Sequence, residues 1–112
     1  MPPSRTYVPA DLQLTLLAAT SPKLELTFRP MFGGIMGYAR GRPFASLSNV
    51  GLALKLGGVN HSELLTLPGA HRLQYEPDSP QSKTYVVVPG TILNDPDQLA
   101  AWTSRSARYV SE

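Results

Sequence analysis

The chain contains no cysteine, and only 16% of its 112 residues are charged. Without cysteine there are no disulfides, no thiolate nucleophile and no zinc site built on thiolates. No run of 18 apolar residues occurs, so the sequence predicts no transmembrane helix. The N-terminus also lacks the basic region and long apolar stretch of a signal peptide. These absences are compatible with the cytoplasm, where we expect the protein to act.

The charge balance is close to neutral, with ten Lys and Arg against eight Asp and Glu. A nucleic-acid-binding protein more often carries a dense basic stripe. Two groups of arginines are nevertheless candidates for contacts with a phosphate backbone, and the alternative is that they are solubilising charges at the ends of elements. These candidates are Arg29, Arg40 and Arg42 around one predicted turn, and Arg105 and Arg108 near the end of the last predicted helix.

No group of residues in the sequence has the spacing of a catalytic or metal site. His61 and His71 lie ten residues apart and lack a carboxylate at ligand spacing, so we predict no metal ion. Gly33, Gly34 and Gly37 do not lead into the Gly-Lys-Ser/Thr ending of a phosphate-binding loop. We therefore expect no cofactor and no enzymatic activity. A small-ligand pocket between helices and sheet stays open as an alternative.

The least ordinary run of the chain is Arg-Pro-Met-Phe-Gly-Gly at residues 29–34. Proline gives no ladder hydrogen bond and glycine adopts positive φ easily, so a strand containing both is predicted to bend sharply. We expect Met31 and Phe32 to point to opposite sides of the bent strand. They are either core residues or exposed anchors for a protein partner. The candidate partner-binding residues are Arg29, Met31, Phe32, Gly33 and Gly34.

Two predicted helices begin with recognisable capping residues. Asn60, with Glu63 three residues later, resembles a capping box. Asp95 suits an N-cap, Pro96 suits the first helical position, and Gln98 can reach back towards the cap. Prolines near the N-terminus predict a loose arm over residues 1–9. Hydrophobic periodicity then predicts a first helix at 10–19 and strands at 24–28 (running through the bend towards residue 39), 44–47, 52–56, 72–76 and 83–88.

The predicted element order is α-β-β-β-α-β-β-α. Short turns between the strands favour antiparallel pairing. Residues 83–88 contain a run that is apolar on both faces, which predicts an interior strand. We therefore predict one α+β domain spanning residues 1–112, with helices on one face of a mostly antiparallel five-stranded sheet.

Six short motifs, in order along the chain, resemble the N-terminal domain of the TfoX/Sxy family of competence regulators. Each motif alone is weak, but together they cover about residues 10–108. The motifs are Arg29-x-Met31-Phe32-Gly33-Gly34, Gly41-x-Pro43-Phe44, Leu52-x-Leu54-Lys55, Tyr75-Glu76, a strand from Tyr85 closing in Val88-Pro89, and a helix opened by Asp95-Pro96 that carries Leu99 and Trp102.

The resemblance implies an α-β(3)-α-β(2)-α fold of the secretion-chaperone-like kind and a non-enzymatic role. The resemblance also implies that full-length family members have two domains. Because this chain ends at Glu112, we expect a stand-alone N-terminal domain. The expected activity is contact with a protein partner, such as a transcription regulator, in competence-type regulation. We also expect a homodimer. Direct nucleic-acid binding through the five arginines is the alternative.

Overall fold

A computed structural model describes residues 6–112 of the chain. Four helices and six strands occur in this part, and a short 3₁₀ turn at Pro22–Leu24 follows the first helix. In chain order the elements are α1 (Pro9–Ala19), β1 (Leu26–Met31), β2 (Gly34–Ala39), β3 (Arg42–Ser48), β4 (Gly51–Lys55), α2 (Gly58–Leu65), β5 (His71–Arg72), β6 (Tyr85–Val87), α3 (Gly90–Leu93) and α4 (Pro96–Ser111).

The strands form one antiparallel sheet in the order β1-β2-β3-β4-β6-β5. The predicted α+β class is confirmed, but the predicted count of five strands is wrong. The bend at residues 30–34 is a complete chain reversal rather than a kink, so the first predicted strand is two paired strands, with Leu26 opposite Ala39 and Met31 opposite Gly34. The predicted interior position of β6 is confirmed, because β4 and β5 flank it.

One face of the sheet packs against the helices and forms the main core. Alternate positions of the central strands, among them Leu47, Leu52 and Leu54, point towards this layer and are fully buried. Leu99 and Trp102 of α4 join the same cluster. The period-2 pattern of the strands and the helical spacing on α4 thus meet in a single apolar layer.

Of the two predicted helix caps, the structure confirms Asp95 and does not confirm Asn60. Asp95 caps α4 as predicted: its Oδ1 accepts from the N–H groups of Asp97 and Gln98 at 3.1 and 3.2 Å, and Gln98 Nε2 donates to Oδ2 at 3.0 Å. The capping box predicted at Asn60 is wrong. Helix α2 already begins at Gly58, and the side chain of Glu63 instead accepts from Arg105 Nη1 at 3.0 Å.

No helix of residues 6–112 packs on the opposite face of the sheet, which is partly covered by the segment 73–84. A small apolar cluster on this face contains Ala53, Leu73 and Val87. The predicted strand 72–76 is wrong in extent, since only His71–Arg72 belongs to β5. The chain then curls into a loop, in which Gln74 Nε2 donates to the carbonyls of Pro77 and Ser79 at 3.1 and 2.7 Å. We call this face the open face.

The loose arm predicted over residues 1–9 lies only partly within the described residues. Residues 1–5 lie outside the described part of the chain. Pro9 already belongs to α1, where its fixed φ and missing N–H suit the first helical turn. The backbone N–H of Tyr7 donates to the carbonyl of Asn49 at 3.0 Å, and its ring packs against the main core.

Candidate functional site

A two-residue turn, Phe32-Gly33, joins β1 to β2 and forms the hairpin tip. Both residues have positive φ, 50° for Phe32 and 79° for Gly33. This combination defines the type I′ turn, whose twist matches that of the two strands it connects. Such turns favour Asn, Asp or Gly at both positions, so a phenylalanine at the first is unusual for steric reasons.

Phe32 differs from the other non-glycine residues of positive φ in having no side-chain hydrogen bond or ion pair that holds it. Among residues 6–112 the others are Glu25 (53°) and Arg40 (51°). These two bond to each other, since Arg40 Nε donates to Glu25 Oε2 at 3.0 Å, and Arg40 Nη2 also donates to the Lys23 carbonyl. Phe32 instead is fully exposed, at 101% of the reference accessible area. The pairing of β1 with β2 therefore holds this backbone conformation, and burial of the Phe32 side chain contributes nothing to it.

The two glycines of the motif are required for different reasons. Gly33 has the positive φ that the turn needs, and a Cβ atom there would meet no atom within 4 Å. A Cβ atom on Gly34 would lie 2.7 Å from the carbonyl oxygen of Leu47 on β3. Gly33 thus permits the turn, and Gly34 permits the close approach of β2 to β3.

Pro30 is accommodated because β1 is the edge strand of the sheet. The backbone N–H of Arg40 donates to the Glu25 carbonyl at 3.2 Å, and Met31 closes the hairpin against Gly34. Hydrogen-bonded pairs alternate along an antiparallel ladder, so odd-numbered residues of β1 bond to β2 and Pro30 faces outward. The proline therefore breaks no ladder bond and leaves the edge near the hairpin tip short of a donor.

The hairpin tip forms one end of a groove of about 520 Å³ on the open face. This volume lies in the range of pockets that hold whole small ligands. Met31 is 41% exposed and lines the groove together with Phe32. The two residues were predicted to point to opposite sides of the strand, but both contribute to the same groove. The remaining lining comes from the hairpin, from β3 and from the 73–84 segment, and includes Gly33, Gly34, Met36, Ser46, Ser48, Tyr75, Glu76 and Ser79.

The wall opposite the hairpin is a loop fixed by hydrogen bonds. The hydroxyls of Tyr75 and Ser46 lie 2.6 Å apart, which anchors the loop over β3. Ser79 Oγ accepts from the Glu76 N–H at 3.0 Å and lies 2.8 Å from the Glu76 carbonyl. The backbone of this wall is therefore satisfied locally. The carboxylate of Glu76 has no ion-pair partner among residues 6–112, where the ion pairs are Arg40–Glu25 and Arg105–Glu63.

Two tyrosines on the open face each have a cation near the ring. The Arg29 guanidinium lies 5.8 Å from the ring centroid of Tyr38, and the Lys55 ammonium lies 6.0 Å from that of Tyr85. Both distances are within reach of cation–π attraction. Burial, and to a lesser extent the neighbouring phenols of Tyr75 and Tyr38, raises the pKa of Tyr85 to about 12. The Tyr85 phenol thus stays neutral at ordinary pH.

The five arginines proposed for nucleic-acid contact do not form one surface. Arg29 is on the open face, opposite Met36 in the β1–β2 register. Arg105 and Arg108 belong to α4 in the helix layer, where Arg105 stacks 4.2 Å from the Trp102 ring centroid and pairs with Glu63. Arg40 pairs with Glu25, and Arg42 begins β3.

The candidate residues predicted from the sequence lie on one side of the groove, and the residues on its other side were not predicted. All of the candidates Met31, Phe32, Gly33 and Gly34 line the groove, and Arg29 lies beside it on β1. Tyr75 and Glu76, more than 40 residues away in the chain, were not predicted as site residues. The only feature that pointed to them was the Tyr-Glu pair of the family pattern.

The fold and the groove define a small α+β domain with an apolar hairpin tip beside a recess. No helix in residues 6–112 is long and apolar enough to cross a membrane. The family model of the TfoX N-terminal domain matches residues 18–109, which is most of the chain. The chain therefore belongs to the TfoX N-terminal domain family. Searches of curated proteins and of solved structures found no match.

Proposed function

We propose that this protein is a non-enzymatic interaction module of competence-type regulation, which binds a protein partner through the hairpin tip and the adjoining groove. The single observation that carries the proposal is the exposure of Phe32 in a strained backbone conformation. The residue is apolar, fully exposed and held at φ 50°. Strain of this kind is concentrated at functional sites, and aromatic and methionine side chains are enriched in protein interfaces.

The surroundings of Phe32 support the same function. Met31 and Met36 lie along the groove, and methionine adapts its flexible side chain to the shape of a partner. Tyr75, which is 53% exposed, borders the groove, and its hydroxyl can bond to a partner there. An apolar centre with a polar border is the usual arrangement of a protein-binding surface.

Membership of the TfoX N-terminal domain family supports a regulatory role. We propose that the partner is a component of the transcription apparatus or a transcription regulator, and that the protein meets it in the cytoplasm. The role needs no cofactor, because contact alone changes the partner's activity.

Affinity capture with matched variants tests the proposal. The immobilised wild type is compared with Phe32→Asn and with Leu14→Asn, which removes another exposed apolar side chain (67% exposed) from α1. We expect Phe32→Asn to lose a partner that Leu14→Asn retains, and to lower expression from a competence-gene reporter in cells lacking the native protein. Equal capture by all three proteins would refute the role of the hairpin tip.

A second candidate function, direct nucleic-acid binding, is favoured by the tyrosines and cations of the open face. Tyr38 with Arg29 and Tyr85 with Lys55 combine a ring with a positive charge, as single-strand-binding surfaces do. This surface replaces the predicted set of five arginines, of which it retains Arg29.

Fluorescence anisotropy with a labelled single-stranded oligonucleotide tests this second function. Binding through Arg29 and Lys55 should weaken as the salt concentration rises. In a plot of log affinity against log salt concentration, each cation that contacts a phosphate should contribute a slope of about one. Arg29→Ala should lower that slope, whereas Arg108→Ala on the helix layer should leave it unchanged. Absence of binding at low salt would exclude this function.

A further inference from the structure

The groove surface contains a projecting group and a recess that match each other. Phe32 is fully exposed at the hairpin tip, and the adjacent groove of about 520 Å³ is lined in part by Met31 and Met36. An aromatic side chain from another molecule would find apolar contacts in this recess. The surface thus has both halves of an apolar contact on the same molecule.

Two side chains of opposite charge also lie at this surface. Glu76 lines the groove, and Arg29 lies beside it opposite Met36. Neither side chain forms an ion pair within residues 6–112, where Arg40–Glu25 and Arg105–Glu63 account for the pairs. A surface that holds its own apolar and electrostatic complements is suited to a second copy of itself.

The positions of the two charges agree with a two-fold arrangement. Arg29 lies on β1 at one side of the groove, and the Glu76 loop is anchored over β3 at the other, with β2 between them. A two-fold axis through the middle of the groove exchanges the two sides. It would bring Arg29 of each copy to Glu76 of the other, and the hairpin tip of each copy towards the opposite groove.

We infer that, when the protein partner is absent, a second copy of the chain occupies the partner-binding surface of the proposed function. In this homodimer Phe32 enters the groove of the second copy, and Arg29 pairs with its Glu76 at two equivalent places. This inference rests on the proposed function because it uses the same surface. In this arrangement Phe32 contacts the groove of the second copy, and Arg29 and Glu76 contact each other across the interface.

Charge reversal, followed by light scattering after size-exclusion chromatography, tests this arrangement. Arg29→Glu and Glu76→Arg each place like charges at both contacts of their own dimer, and each should weaken dimerisation by about tenfold or more. An equimolar mixture of the two variants should form a heterodimer, because both of its contacts then join opposite charges. Arg108→Glu, on the exposed end of α4, is the matched control and should dimerise like the wild type.

A monomeric wild type, or a mixture of the two variants that stays monomeric, would overturn the inference. If in that case Phe32→Asn still loses a different protein that Leu14→Asn captures, the proposed function stands without the dimer. If Phe32→Asn changes neither dimerisation nor capture, both proposals fail.

Discussion

Replacing Phe32 by Asn is expected to make the isolated protein more stable, although it removes a large apolar side chain. The left-handed backbone conformation costs most residues roughly 1–2 kcal/mol, and Asn tolerates it better than other non-glycine residues. Phe32 buries no area that the substitution could take away, because it is fully exposed. We therefore expect a gain of about 1 kcal/mol for the monomeric protein, which corresponds to a rise in Tm of roughly 4 °C for a domain of this size.

Urea unfolding followed by far-UV circular dichroism measures this gain, at a protein concentration low enough to keep both proteins monomeric. The matched control is Arg40→Asn, at the corresponding position of the β2–β3 turn. Arg40 has a φ of 51° but bonds to Glu25 and to the Lys23 carbonyl, so relief of strain is offset by lost contacts and the net change should be near zero.

A loss of stability in Phe32→Asn would refute the reasoning, because it would mean that Phe32 is held by contacts within its own chain. A gain in stability accompanied by loss of partner binding would show that the residue is retained for binding at the expense of folding.

Three further predictions concern the turn, the partly buried Tyr85 and the last helix. Gly34→Ala should destabilise the protein by about 2 kcal/mol and Gly33→Ala by about 1 kcal/mol, because only the Gly34 Cβ would meet backbone, at 2.7 Å; equal Tm losses would contradict this distinction. Since the pKa of Tyr85 is raised to about 12, its contribution is complete below pH 10 and should be lost between pH 10 and 12. The loss should be about 1 kcal/mol, less than the full shift implies because the ring is only partly buried, and Tyr85→Phe should lack it. Hydrogen bonding, first from the Gln98 side chain and then from backbone N–H groups, lowers the pKa of Asp95, so its charge contributes stability at neutral pH that is lost as pH falls through that lowered pKa. Asp95→Asn should therefore show a smaller decrease in Tm than the wild type between pH 5 and pH 2; parallel decreases would count against the capping interaction.

The sequence by itself determined the fold class, most of the element order and the start of the last helix. Apolar alternation on the strands and helical spacing around Leu99 and Trp102 are local patterns, and they can be read without knowing which elements meet. The Asp95 cap was equally accessible, because its partners lie two and three residues away. The hairpin itself was harder to recognise, since Phe32-Gly33 does not resemble the usual Asn-Gly turn.

Only the tertiary structure decided what the Met-Phe-Gly-Gly run does. Whether Gly34 is needed depends on the carbonyl of Leu47, thirteen positions away on β3, and whether Phe32 is buried depends on what the sheet places around it. The opposite wall of the groove comes from Tyr75 and Glu76, held over β3 by the bond to Ser46. Local sequence preferences carry no information about such distant contacts, because they form only when the sheet order brings the segments together.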